Sequence, residues 1–319
     1  MSLSLGRYIG RRLAVTVPVL IGVTALTFSF VHLLPGDVVD AIVGMRDVSP
    51  GTEAAIRSAY HLDQPVWAQY LLWLRDVIAL EFGTSPVTGR DVAAAIGSRL
   101  PATVALGGAA WLLALAIGIP AGIVTAVRAG TPTDELGRIA ALAGIATPNF
   151  WLGLGLLLVF SVRLGWFRVL PPDAPLGSVA TAKFLLLPTI TLGTAAAALV
   201  MRLLRSSLRQ ELDATYVTAA RAKGLPERTV LLKHALRNAL RPVVTVAGLQ
   251  LAFLVDGAVV VEGIFSWPGM GRLLVRSILR RDYPLVQAIV LLIGVAIVLA
   301  NLLVDVVYAV LDPRIRYRQ

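Results

Sequence analysis

The sequence predicts an all-α integral membrane protein with six transmembrane helices, and three observations carry that prediction. Hydrophobic residues make up 57% of the chain and charged residues 15%, whereas soluble domains hold about 45–50% and about 25%. Several apolar runs reach the roughly 20 residues that a helix needs to cross the hydrocarbon core. Lys and Arg are also concentrated in those segments that lie on one side of the membrane once the runs are threaded through it, which is the positive-inside pattern.

The first run, 9–34, opens with Arg7, Arg11 and Arg12 and extends for 26 residues. A secretory signal has an apolar region of only about 7–15 residues followed by a small-residue cleavage site. Neither feature fits, so the run is expected to be a retained span. The others are 103–127, 139–162, 184–201, 243–261 and 285–311. With the N-terminus in the cytoplasm, six spans return the C-terminus there. The 202–241 segment then contributes nine basic and three acidic residues inside, while 35–102 contributes five basic and eight acidic residues outside. One loop runs against the pattern, placing Arg272, Arg276, Arg280 and Arg281 outside.

Two long polar segments interrupt the apolar runs. In the external one, Val66, Tyr70, Leu74, Val77 and Ile78 recur at helical spacing after Asp63-Gln64-Pro65, predicting an amphipathic helix. Its apolar face is expected to pack on other spans, lie on the membrane surface or cover a pore. The cytoplasmic segment is basic at its ends and small in its middle, Thr218-Ala219-Ala220-Arg221-Ala222-Lys223-Gly224. A helix over 211–223 should end on Gly224 in the left-handed conformation, with Pro226 preventing continuation. A second helix should run from 227 to about 240 before Pro242 opens the fifth span. The result is an elbow with a compact alanine face, suited to close packing against a partner or, on its basic residues alone, to lying on anionic lipid.

The chemistry that is absent narrows the function. No Gly-x-x-x-x-Gly-Lys-Ser/Thr occurs, so nucleotide hydrolysis through a P-loop must come from another subunit. There is no His-Glu-x-x-His, Gly-x-Ser-x-Gly or dinucleotide fingerprint, and Gly269-Met270-Gly271 reads as a turn. Cysteine is absent and His32, His61 and His234 are scattered, so no metal site or cofactor is expected. The basic balance, +10 overall, is explained by loops beside spans and lipid headgroups, without nucleic acid. Ionisable residues within spans are few: Asp256, Asp305 and, near an end, His32. An ion-coupled secondary transporter, the alternative function, usually keeps more. A carboxylate at Asp256 is expected to face a water-filled pathway or a polar partner.

A series of short motifs then resembles a known family. His32-Leu33-Leu34-Pro35-Gly36-Asp37, Phe82-Gly83-Thr84-Ser85, Arg99-Leu100-Pro101-Ala102-Thr103 and Thr147-Pro148-Asn149-Phe150-Trp151 occur in order. They are followed by the 216–225 and 234–240 segments, Phe265-Ser266-Trp267-Pro268-Gly269-Met270-Gly271 and Asp312-Pro313-Arg314. Together they are similar to permeases of the dipeptide/oligopeptide/nickel family of ABC importers, over nearly the whole chain. The resemblance implies a type I ABC importer permease fold with a cytoplasmic coupling helix. It divides the chain into 1–102, a first helix and external segment, and 103–319, a five-helix core with coupling loop 202–241. It implies a pore-forming subunit, not an enzyme, in the cell inner membrane with both termini cytoplasmic. The implied partners are a second homologous permease subunit, two cytoplasmic ABC ATPases, an extracytoplasmic solute-binding protein and membrane lipid. ATPase coupling would fall on Thr218, Ala219, Ala220, Lys223 and Gly224, and the translocation pathway on Asp256. The family's opening glutamate is Thr218 here, and Asp256 replaces an expected small residue.

Overall fold

The computed structural model describes residues 2–33, 51, 58 and 62–311, with the side chains of 2–9, 30–33, 251–257 and 303–311 outside that description. Helix is the only regular element among them, apart from an isolated bridge between Thr84 and Asp91. In chain order the helices are α1 Ser2–Leu33, α2 Val66–Ile78, α3 Val92–Gly97, α4 Leu100–Val127 and α5 Pro132–Ala146. Next come α6 Asn149–Leu156, which continues as a π-helix over Leu157–Arg163, then α7 Val179–Leu212 and α8 Thr215–Ala222. A turn at Glu227–Thr229 and a π-helical stretch at Val230–Ala235 lead into α9 Leu236–Ile264, followed by α10 Met270–Leu279 and α11 Tyr283–Leu311.

Four stretches among the described residues are long and apolar enough to cross a membrane: Gly10–Ser29, Val92–Val127, Val179–Leu212 and Tyr283–Leu302. α5 and the α6 segment together make a fifth if counted as one, but they are bent by 101°. The sequence predicts this run as a single span over 139–162. The bend falls at Thr147-Pro148, where the proline ring disfavours helical geometry for the residue before it. Thr147 accordingly adopts ψ 119 and Pro148 ψ 136. The run predicted at 243–261 lies within α9, part of whose side chains fall outside the described residues.

Proline punctuates less than the sequence suggests. Pro242, expected to open a new span, sits inside α9, as Pro18, Pro120 and Pro188 sit inside α1, α4 and α7. Each removes one backbone donor. In a long helix with packed neighbours that loss is tolerated.

The chain divides into two compact units, Met1–Thr103 with Pro268–Leu299 and Val104–Trp267 with Ala300–Gln319. In the first, α2 packs on α1: the Thr24 and Tyr70 hydroxyls are 2.9 Å apart, and Phe28 lies 5.5 Å from the Tyr70 ring and 5.7 Å from that of Trp73. α3 is N-capped by Asp91, whose Oδ1 accepts the Ala94 amide at 2.7 Å. Val92 and Ile96 of α3 join Met270, Leu285 and Ile289 in a buried cluster. The Ser85 hydroxyl donates to the buried carboxylate of Asp282, tying the 83–91 turn to the residues before α11. Gly269-Met270-Gly271, expected as a turn, opens α10 instead; the Met270 amide donates to Thr103 Oγ1 at 2.8 Å.

In the second unit, α4, α7 and α9 form the core. α4 carries Gly118-Ile119-Pro120-Ala121-Gly122, two glycines one helical turn apart, and both face α7. A Cβ at Gly118 would stand 2.7 Å from the Ala197 carbonyl oxygen, and one at Gly122 would stand 2.9 Å from Leu204 Cβ. Only hydrogen fits there, so the two backbones approach as closely as the small-residue interfaces of membrane helices allow. α9 is held on both sides: the Trp111 indole donates to the Ala247 carbonyl at 2.8 Å, and the Gln250 amide to that of Ala196 at 3.2 Å.

Candidate functional site

The elbow predicted over 202–241 is present, and its internal order differs in one respect. The helix expected over 211–223 is broken. α7 runs to Leu212, Ala214 turns extended at φ −73 and ψ 146, and α8 begins at Thr215. Burial supplies the reason. Val217 and Ala220 are three residues apart on one face of α8 and are buried, at 0% and 9% exposure, in a cluster with Leu204, Leu208, Val230, Ala235, Ala239 and Val243. A straight extension of α7 would carry Val217 past Leu208 into solvent. The break folds it back, and burial of such a side chain stabilises by about 1.5–3 kcal/mol.

α8 ends as the sequence predicts. Gly224 has φ +77, and its amide donates to the Arg221 carbonyl while the Leu225 amide donates to that of Ala220, at 2.9 and 3.4 Å. This is the Schellman pair, which satisfies two carbonyls at the helix terminus. A Cβ at Gly224 would meet nothing within 4 Å. The requirement for glycine is therefore conformational, not spatial.

Polar contacts brace the tip from outside. Arg221 and Glu227 pair across the 223–226 turn in a two-point contact, at 2.6 and 3.1 Å. The guanidinium holds the Glu227 carboxyl below its usual range, so the pair is fully charged at neutral pH. The Tyr216 hydroxyl donates to Glu211 and receives the Asn238 amide at 3.0 Å, linking the end of α7, α8 and the start of α9. Burial first, and the contact with Glu211 second, push the Tyr216 phenol up. At the root of the elbow, Arg205 of α7 makes a bidentate pair with Asp134, Nε to Oδ1 at 2.6 Å and Nη2 to Oδ2 at 2.7 Å, and the same Oδ2 also accepts the Gly130 amide at 3.0 Å.

The five residues expected to couple are thus brought together but do not share one face. Thr218, Ala219, Lys223 and Gly224 are exposed at the tip, whereas Ala220 points into the elbow's own core. Asp256 lies on α9, and its side chain falls outside the described residues. Two features escaped the sequence reading. The paired glycines of α4 were visible as a small-residue motif, but the contact partner was not. Gln250 is 7% exposed, with an Oε1 that has no hydrogen-bond partner among the described residues. Its signal was a polar residue within the apolar 243–261 run.

A helical membrane bundle carrying a braced, small-residue elbow fits a transport subunit, and comparison with known proteins supplies the class. The chain belongs to the family of binding-protein-dependent transport system inner membrane components, whose profile matches residues 118–317; the family's N-terminal profile matches residues 5–107. The dipeptide transport system permease protein DppB of Escherichia coli K12 is 40% identical, with 98% of this chain and 99% of that protein covered. The glutathione transport system permease protein GsiC of Salmonella paratyphi A is 43% identical, with the same coverage. Among solved structures, a chain of the MetNI methionine ABC transporter in inward-facing conformations matches with TM-score 0.55 and 18% identity, covering 68% of this chain and 96% of that one. The protein is therefore a multi-pass inner-membrane permease of the ABC importer class, with the type I importer fold, and forms a pore instead of catalysing a reaction.

Proposed function

We propose that this permease imports di- or oligopeptides, or a closely related solute, and receives its driving force through the exposed tip of the elbow. The carrying observation is the tip itself: Thr218 and Ala219 are exposed on α8, and Lys223 and Gly224 on the turn that ends it, while the opposite face of the helix is locked into the core. Small side chains let a helix backbone enter a groove on an ATPase at close range. The core beneath α8 also contains Ala126 of α4, Val200 and Leu204 of α7, and Ala239 and Val243 of α9. Displacement of α8 would therefore move three membrane helices together, because a close-packed interior transmits strain. Two cytoplasmic ATPases, a second homologous permease, an extracytoplasmic solute-binding protein and cytoplasmic termini complete the reading. Two relatives are named for dipeptide and glutathione transport. Differential affinity of ATP-bound and ATP-free partners for two pore states would make transport directional.

The test separates coupling from folding. Ala219→Arg adds a long side chain at an exposed position and is expected to leave membrane yield unchanged while abolishing copurification of the ATPase and solute uptake. Ala220→Arg forces a guanidinium into the buried cluster and should lower the yield itself. Normal ATPase association and uptake in the Ala219 variant would overturn the coupling assignment. An ion-coupled secondary transporter would need no ATPase, so the wild-type copurification also decides between the classes.

The pathway is proposed to include Asp256, a carboxylate within the largely apolar 243–261 run of α9, where exposure to lipid costs about 2.5–3.5 kcal/mol. In a pore it would attract the free amino group of a peptide. Asp256→Asn is expected to reduce uptake of free-amine dipeptides at least several-fold, with assembly and basal ATP hydrolysis near normal. Unchanged uptake counts against the pathway role, and loss of the assembled complex assigns the residue to structure.

A further inference from the structure

The face of α2 turned away from α1 carries Trp67, Leu71 and Ile78, exposed at 69%, 54% and 75%. Steps of four and seven residues place them in one stripe along the helix. The other face is occupied, since Tyr70 and Trp73 pack on Thr24 and Phe28. We propose that the stripe is a lipid-contact surface, set among the acyl chains and glycerol backbones of the leaflet at the C-terminal end of α1. Residues 66–78 are then an interfacial helix, not part of a solvated segment.

Depth carries the argument. On its shortest bounds the apolar part of α1 is Gly10–Ser29. Thr24 lies five residues inside that end, about 7.5 Å at 1.5 Å per residue, and the helix itself continues to Leu33. The Tyr70 hydroxyl meets this buried threonine. Tyr70 contacts Thr24 and Phe28, while Trp73 contacts Phe28, so α2 rises toward water as its numbering increases. Trp67, one turn before Tyr70, then stands at or below the level of Thr24, and Ile78 stands nearest the headgroups.

The chemistry of the stripe agrees. An arginine close to water reaches the headgroups with its charged end. Arg75, in line with the stripe, already pairs with Asp76 at 2.8 Å and requires no charge from a partner. A stable protein partner needs about 800 Å² from each side and some 20–30 residues, far more than three side chains of one four-turn helix.

The chain has no cysteine, which makes site-directed spin labelling direct. Trp67→Cys, Leu71→Cys, Ile78→Cys and, as an exposed reference, Asp63→Cys are labelled in the transporter assembled with cysteine-free partner subunits. The complex is placed in vesicles of phosphatidylethanolamine and phosphatidylglycerol. Collision rates with oxygen, which concentrates in acyl chains, are compared with those of a water-soluble nickel chelate. The ratio of oxygen to nickel collisions at 67 and 71 is expected to exceed that at 63 several-fold and to fall at 78. Nickel collisions at 67 and 71 equal to those at 63 would put the stripe in water. Low collision with both reagents would place a protein over it. Either result overturns the proposal, and Leu71→Cys decides it alone should the tryptophan replacement assemble poorly.

Discussion

Arg205→Ala is expected to destabilise the permease by about 3 kcal/mol, near the lower end of the range for breaking a buried ion pair. The lower end applies because Arg205 keeps 22% of its side chain in solvent while Asp134 keeps 4%. With the guanidinium gone, the carboxylate of Asp134 retains the Gly130 amide and the weaker charge interaction with Arg138, which do not fully compensate a desolvated charge. The pair joins the first turn of α5 to the part of α7 beyond its apolar stretch, so its loss should also loosen the base of the elbow. The measurement is the thermal unfolding midpoint of the purified complex, together with membrane yield. Asp134→Asn in the Arg205→Ala background removes the stranded charge, keeps a hydrogen-bonding side chain, and should recover a large part of the loss. An Arg205→Ala protein as stable as the parent, or a double variant no better than the single, would show that the pair is not the source of stability.

Gly118→Val should be comparably damaging through a different cause. The added Cβ would meet the Ala197 carbonyl oxygen at 2.7 Å and Val200 Cβ at 2.8 Å. A backbone oxygen cannot rotate away as a side-chain tip can, so α4 and α7 must separate. Overpacking of this kind typically costs about 1–3 kcal/mol, and the branched Val side chain extends the clash beyond the Cβ. Separation would also disturb Val200 and Leu204 in the core beneath α8. Gly107→Val on the same helix is the control, because nothing lies within 4 Å of a Cβ there. Both variants remove one helical glycine, so their propensity effects match and only the contact differs. Equal yields and equal thermal midpoints for the two would refute a close approach of α4 and α7.

The exposed tip has a consequence for how coupling variants are read. In the sequence Ala219 and Ala220 are equivalent members of a small-residue run. Ala220 proves to be a core residue, whose enlargement attacks the elbow from within. A loss of function at Ala220 therefore carries no information about the partner, whereas one at Ala219 does.

Much of the fold was legible in the sequence because lipid imposes a severe constraint. A backbone that crosses hydrocarbon must satisfy its own hydrogen bonds, so long apolar runs become helices whatever their neighbours. The amphipathic α2 after Pro65, the bend point at Pro148 and the left-handed Gly224 were equally local: each follows from side-chain spacing, a proline ring or the absence of a Cβ. The break between α7 and α8, the passage of α9 through Pro242, the helix at Met270 and the inward turn of Ala220 were not legible. These depend on which apolar faces find partners, and Val217 reaches Leu208 and Val230 only after the chain has folded back. The pairing of Arg205 with Asp134, 71 residues apart, and the contact of Gly118 with Ala197 are likewise products of helix packing. Sequence alone determined that this chain lives in the membrane as a helical permease without a nucleotide site. Only the tertiary structure decided which small residues face outward to a partner and which lie against another helix, because spacing along a helix names a face but not what covers it.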